Sequence, residues 1–208
     1  MAKLHFYYSA MNAGKSTVLL QLSYNYNERG MDTILYTPLV DNRFGIGKIA
    51  SRIGLEKLAI AIDKKFDIFT SVKKQLESNA NIQCVLIDEA QFLTKQQIEQ
   101  LTHVCDFLNI PVLAYGIRSD FRAEPFEGSV YLMAWADSVI EIKTICHCGK
   151  KATMNMRIDS DGRAVTEGEQ VDIGGNEKYI ATCRKHFRLQ QTGSMRSECH
   201  DINARSTA

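Results

Sequence analysis

One stretch near the N-terminus constrains this chain most: Ser9-Ala10-Met11-Asn12-Ala13-Gly14-Lys15-Ser16. Ahead of it, Lys3–Tyr8 carries Phe6, Tyr7 and Tyr8, as a buried strand would. Behind it, Val18, Leu19, Leu22 and Tyr26 recur at helical spacing, and Gly30 suits the helix stop. The octet approaches the phosphate-loop pattern G-x-x-x-x-G-K-[S/T], with Ser9 standing where the pattern has glycine. Gly14 lets backbone amides turn toward an anion, and the following helix start adds its own N–H groups. Lys15 supplies a point charge for the β- and γ-phosphates, and the Ser16 hydroxyl suits Mg²⁺.

The rest of the chain extends the same alternation. Thr33–Thr37 reads as a second strand, and Pro38–Lys57 as a long polar loop punctuated by Gly45, Gly47 and Gly54. Phe66, Phe69, Val72 and Leu76 mark an amphipathic helix. The run Cys84–Ile87 suits a strand buried on both faces, and it ends in Asp88-Glu89. Thr94 and Gln97 form a capping box before a helix carrying Ile98, Leu101, Val104 and Leu108. Pro111–Tyr115 and Ser138–Ile142 read as further strands. Strands alternating with helices predict an α/β fold with a mostly parallel sheet over residues 1–144. Residues 145–190 lack a helical period and read as a small second unit. Residues 191–208 read as a loose tail.

Composition excludes several classes. Lys plus Arg is 25 against 24 for Asp plus Glu, a balance that predicts no nucleic-acid partner. With 45% hydrophobic and 24% charged residues, the profile is that of a globular chain. The longest apolar run, Val130–Ala136, falls far short of a membrane span, so no membrane partner is expected. No basic segment followed by an apolar one opens the chain, which predicts a cytoplasmic location. In that reducing compartment, the six cysteines are expected to bind metal or to be buried, not to form disulfides.

Asp88-Glu89 sits where phosphate-loop folds hold the Mg²⁺ shell, and an adjacent Glu can accept a proton from an attacking oxygen. That pair suits a kinase or an ATPase equally. In the long loop, Asp41 is placed to lie near the metal and Arg43 near the triphosphate. Cys146, Cys148, Cys183 and His186 form two ligand pairs that suit a structural, tetrahedral Zn²⁺ at the base of a long excursion. His147 and His200 are competing ligands. Cys84 and Cys105 read as buried packing residues.

Several spaced motifs stand together: Tyr8-Ser-Ala-Met-Asn-Ala-Gly-Lys-Ser-Thr17, Asp41-Asn-Arg-Phe44, Asp88-Glu-Ala-Gln-Phe92 and Tyr115-Gly116. Asp120-Phe121-Arg122-x-x-Pro125-Phe126 and Ile173-Gly-Gly-Asn-Glu-Lys-Tyr179-x-x-x-Cys183 follow. On these motifs, from about Lys3 to about Phe187, the chain resembles the thymidine kinases of the cytosolic, zinc-containing type, particularly the bacterial ones. The resemblance implies a RecA-like phosphate-loop core with a small zinc-containing lasso domain. It implies transfer of the γ-phosphate from ATP, with Mg²⁺, to the 5′-hydroxyl of thymidine. By position it makes Glu89 the general base, and Ser9–Ser16, Asp41, Arg43, Asp88 and Gln91 the nucleotide and metal contacts. It assigns Phe121, Phe126 and Tyr179 to the nucleoside pocket. Gln170, Val171, Asp172, Ile173 and Gly174 become a lasso that closes over the base. It further implies a homotetramer and feedback inhibition by thymidine triphosphate (dTTP).

Two other classes compete. A nucleic-acid-stimulated ATPase would share the phosphate loop and Asp88-Glu89, but the balanced charge speaks against it. A non-enzymatic zinc module would leave both motifs unexplained.

Overall fold

The computed structural model describes residues 1–41, 45–170 and 178–193. Six strands make the main sheet: β1 (Leu4–Ser9), β2 (Asp32–Pro38), β5 (Ile60–Ile62), β6 (Ile82–Ile87), β7 (Val112–Ile117) and β8 (Ser138–Glu141). Their order is β5-β2-β6-β7-β1-β8, and every neighbouring pair runs parallel. Strand β7 therefore separates β1, which feeds the phosphate loop, from β6, which ends beside Asp88. That insertion is the arrangement of a RecA-like core. All-parallel pairing needs crossovers, and the crossovers place helices on both faces.

Helix α1 (Lys15–Glu28) covers one face, where Leu19 and Leu20 pack with Leu35, Cys84, Leu86 and Tyr115. On the other face lie α2 (Ile68–Ser78), α3 (Lys95–Leu108) and α4 (Glu127–Trp135). Ile68, Val72, Ile98, Leu101 and Leu132 meet Phe6, Tyr36, Val85 and Ile87 there. Each such buried aliphatic side chain contributes about 1.5–3 kcal/mol of transfer free energy. The predicted capping box is present, with Thr94 Oγ1 accepting from Gln97 N–H and Gln97 Oε1 from Thr94 N–H. Gly30 follows the end of α1 with φ 73°, as the helix stop requires. Cys84 and Cys105 are buried, as expected.

Besides β5 (Ile60–Ile62), which the sequence reading left unassigned, a hairpin and a helix of the main unit depart from the sequence expectation. Within the predicted Pro38–Lys57 loop, β3 (Lys48–Ala50) and β4 (Glu56–Leu58) pair as an antiparallel hairpin. Only Ile49 of this hairpin is fully buried, so its strands are too short to show an alternating pattern. Helix α4 has no counterpart in the sequence reading. Its residues are apolar all round, with Val130, Met133 and Trp135 exposed, so no 3.6-residue stripe stands out.

Beyond β8 come the hairpin of β9 (Thr144–Ile145) and β10 (Lys151–Ala152), and an antiparallel sheet. That sheet holds β11 (Met154–Ile158), β12 (Ala164–Val165) and β13 (Tyr179–Thr182), in the order β12-β11-β13. The short helix α5 (Arg184–Arg188) follows. The local core is small: Cys146, Ala152 and Cys183, with Ala181 against them. Among the described residues, no helix is long and apolar enough to cross a membrane.

Candidate active site

The loop after β1 turns through Asn12 (φ 63°) and Gly14 (φ 83°), both left-handed, and enters α1 at Lys15. A side chain at Gly14 would meet no protein atom within 4 Å, so within the protein it is the left-handed backbone angle that calls for glycine. Ser9 does not need glycine's freedom. It is the last residue of β1, paired in register with Ile117, and is not one of the positive-φ residues. Its hydroxyl donates to Ala10 O at 2.6 Å and accepts from Lys15 Nζ at 3.1 Å. The departure from the motif thus adds a contact that orients the lysine. Lys15 is itself buried, with Ala10 O at 3.4 Å from Nζ.

At the end of β6, Asp88 is 4% exposed. Its Oδ2 accepts from the Ser16 hydroxyl at 2.7 Å, and Oδ1 from the Glu89 N–H at 3.0 Å. Burial, and then the neighbouring Glu89 charge, push the Asp88 carboxyl up; the Ser16 hydroxyl and Lys15 ammonium pull it back. Glu89 has φ 48° and ψ 39°, a left-handed backbone that costs a non-glycine residue about 1–3 kcal/mol. It opens a 3-10 turn, Ala90–Phe92. The Gln91 side chain, assigned to the nucleotide by the resemblance, donates from Nε2 to Glu89 Oε2 and accepts from Ile117 N–H at 3.2 Å.

Phe121 and Phe126 sit on the loop between β7 and α4, which Asp120 organises. The buried Asp120 Oδ1 accepts from the Arg122 and Glu124 N–H groups, and Oδ2 lies 3.1 Å from Arg122 Nε. Phe126 meets Phe92 edge to face at 5.5 Å, and Phe121 meets Tyr179 at 6.5 Å. The Arg157 guanidinium lies 5.4 Å from the Phe121 ring centroid, a cation–π contact.

These parts share one cavity of about 330 Å³, within the usual range for small-ligand pockets. Residues 11–16 of the phosphate loop, Asp41 and Asp88 line it together with Glu89, Gln91, Phe121, Phe126, Tyr179 and Gln170, while Ser9 and Ala10 are not on its wall. Arg43 and residues 171–174 lie outside the described residues. Phe92, Arg52 and Asn155 are among the lining residues that had no assigned role. Asn155 is 2% exposed, accepts from Met11 N–H at 2.7 Å and donates to Ser119 O at 2.8 Å. It thereby ties the phosphate loop to β11. Its sequence signal is a lone amide in an otherwise apolar strand stretch, Met154-Asn155-Met156.

The predicted metal ligands also converge. Donor atoms of Cys146, Cys148, Cys183 and His186 all lie within 4.8 Å of one another. His186 Nδ1 is 3.3 Å from Cys146 Sγ and 3.5 Å from Cys183 Sγ, and Cys148 Sγ is 4.0 Å from Cys183 Sγ. A tetrahedral Zn²⁺ with ordinary bond lengths sets ligand edges of about 3.5–3.8 Å, so the donor set fits. His147 stacks on His186 at 4.2 Å and stands outside the set of four. The backbone N–H of His186 pulls the Cys183 thiol down, while burial pushes Cys146 up.

A family model described as thymidine kinase matches residues 2–187. A thymidine kinase of Coxiella burnetii (strain RSA 493 / Nine Mile phase I) is 68% identical over 92% of this chain and 97% of its own. One of Legionella pneumophila (strain Lens) is 60% identical over 93% of this chain and 92% of its own. One of Mannheimia succiniciproducens is 57% identical over 94% and 99%. The match spans the phosphate loop, the acidic strand end, the aromatic loop and the cysteine cluster together, and on it the chain belongs to the thymidine kinase family.

Proposed function

We propose that this protein transfers the γ-phosphate of ATP to the 5′-hydroxyl of thymidine, giving thymidine monophosphate and ADP. The observation that carries the reading is the single cavity lined by both the phosphate loop and the aromatic pair Phe121 and Phe126, with Glu89 on its wall. An uncharged nucleoside needs ring surfaces and hydrogen bonds, and the aromatic walls supply the former.

The amides of the Ser9–Gly14 loop and the Lys15 ammonium hold the triphosphate. Arg43 adds charge there, and Asp41 lies near the metal. Phe121, Phe126 and Tyr179 flank the thymine ring, and residues 170–174 close over it. Glu89 takes the 5′-hydroxyl proton as that oxygen forms its bond to the γ-phosphorus. The bond from the γ-phosphorus to the β-bridging oxygen breaks, ADP leaves, and the proton stays on Glu89. Closure excludes water, which would otherwise act as acceptor.

Ser16 and the buried Asp88, paired at 2.7 Å, are the hard oxygen donors that would hold Mg²⁺, directly or through water. When bound, that ion neutralises charge on the transferred group. Cys146, Cys148, Cys183 and His186 would hold a structural Zn²⁺ that staples the small unit. The same reading takes the protein as a cytoplasmic homotetramer restrained by dTTP.

The test is product formation from ATP–Mg²⁺ with thymidine, deoxycytidine, deoxyadenosine, deoxyguanosine and no nucleoside. The expected product is thymidine monophosphate, formed with thymidine alone. ATP hydrolysis indifferent to nucleosides, and stimulated by DNA, would overturn the reading.

A further inference from the structure

We infer that Gln91 is a positioning residue for Glu89, and that position 116 is a glycine because Gln91 occupies the space its side chain would take. The inference rests on the reading of Glu89 as general base.

The Gln91 amide has no choice of orientation. It is 2% exposed, and its Oε1 accepts from the Ile117 N–H at 3.2 Å. A flipped amide would set N–H against N–H and oxygen against carboxylate oxygen. Nε2 is thus held facing Glu89 Oε2, to which it donates. The β7 backbone thereby fixes the rotamer of a carboxylate on a neighbouring element.

Gly116 has no left-handed backbone to explain it. A Cβ there would sit 2.8 Å from Gln91 Oε1 and 3.1 Å from Gln91 N. The first is closer than a methyl group tolerates and the second is tight, and Oε1 cannot retreat without releasing Ile117 N–H. On the other side, a Cβ at Gly128 would lie 2.5 Å from Ala90 O and 2.8 Å from Leu93 O, so α4 presses on the back of the same turn. Ser129, the next residue, donates its hydroxyl to Ile117 O at 2.5 Å. The turn carrying Glu89 is held between β7 and α4, with Gln91 as the link to the carboxylate. A base held this way meets the acceptor hydroxyl in one geometry, and small misplacements of such groups are costly.

The experiment compares Glu89→Gln, Gln91→Met, Gly116→Ala and the double variant Gln91→Met/Gly116→Ala in the full chain, by kcat, by KM for thymidine and ATP, and by thermal unfolding. Gln91→Met and Gly116→Ala are expected to lower kcat by about tenfold or more. Both KM values are expected to stay within about twofold. The double variant should lose less than the product of the two single losses, because Gly116→Ala acts in part on the amide that Gln91→Met has removed, while its contact with Gln91 N remains. Full kcat in Gln91→Met, multiplied losses in the double variant, or a raised KM for thymidine with kcat intact would each overturn the inference. Gly116→Ala keeps every hydrogen-bonding group of the turn, so it decides the matter if Gln91→Met does not fold. Normal turnover in Glu89→Gln would instead remove the base itself; a slow Glu89→Gln beside a normal Gln91→Met removes only the positioning role.

Discussion

The Ser16 hydroxyl donates to Asp88 Oδ2 at 2.7 Å, joining the start of α1 to the end of β6 across the intervening strand β7. The contact spans 72 positions of sequence and closes the phosphate end of the cavity. Ser16→Ala leaves the Asp88 carboxylate buried without that donor. It is expected to cut kcat by roughly a hundredfold and to raise the Mg²⁺ concentration needed for half-maximal rate. A Mg²⁺ titration of initial rates reads both effects, and an unchanged half-saturation point would detach Ser16 from the metal.

Ser9 offers a test of how far the motif's first glycine matters. The position is a strand end, so Ser9→Gly relieves no backbone strain and removes the contact with Lys15 Nζ. We expect a stability loss of about 0.5–1 kcal/mol from added chain entropy. The KM for ATP should rise by a few-fold at most. Urea unfolding and ATP kinetics check these together; a gain in both stability and affinity would contradict the account.

Phe121 is held by Tyr179 and the Arg157 guanidinium, inside the cavity. On the proposed reading, truncating it to Ala removes a ring wall from the nucleoside end of the cavity. The KM for thymidine is expected to rise by about ten- to a hundredfold, while ADP affinity stays near its starting value. Calorimetric titration with each ligand separates the two ends of the cavity.

Thiol labelling tests the cysteine assignments. Burial pushes the Cys84 and Cys105 thiols up to about 12, so neither forms thiolate at pH 8. Chelator treatment is expected to release Cys146, Cys148 and Cys183 to alkylation, with a lowered melting temperature, and to leave Cys84 and Cys105 unlabelled. Peptide mapping by mass spectrometry reads each site. Labelling of Cys146, Cys148 and Cys183 that is equally fast before chelation would argue against a bound metal.

Asp67 caps α2, accepting from the Thr70 N–H at 2.9 Å and the Thr70 hydroxyl at 2.8 Å. The Thr70 N–H, then its hydroxyl, hold the carboxyl below its ordinary value. A depressed folded value means that the stabilisation is full above the unfolded pKa and fades as pH falls through the folded one. Asp67→Ala should therefore cost about 1 kcal/mol at pH 7, with the gap to the parent narrowing below roughly pH 4. Melting curves across that range check the sign.

Much of the architecture was legible because its causes are local. The apolar run at Cys84–Ile87, the capping box at Thr94 and the stop at Gly30 each follow from neighbours within a few residues. Helix α4 was not legible: its exposed apolar residues erase the polar face that periodicity needs. The hairpin of β3 and β4 was hidden because a three-residue strand with one buried side chain carries almost no pattern.

The site divides the same way. Gly14, Lys15, Ser16, Asp88 and Glu89 were readable because phosphate chemistry demands those residue types at those spacings, whatever surrounds them. The four-residue metal cluster was readable for the same reason, with His186 preferred over His147 because it pairs in sequence with Cys183, and the structure brings those four donors together. Asn155 belongs to the tertiary structure alone, whereas Gln91 and Gly116 stood in the motifs of the resemblance but without the contacts that hold them. An amide or a missing side chain carries no chemistry of its own. The hold on Glu89 by Gln91 shows only when β7 brings Ile117 N–H against it, the need for Gly116 only when Gln91 fills its space, and the role of Asn155 only when β11 meets Met11. The sequence by itself determined which reactive groups this protein has; the parallel sheet order, by setting which strand ends meet, decided how they are held.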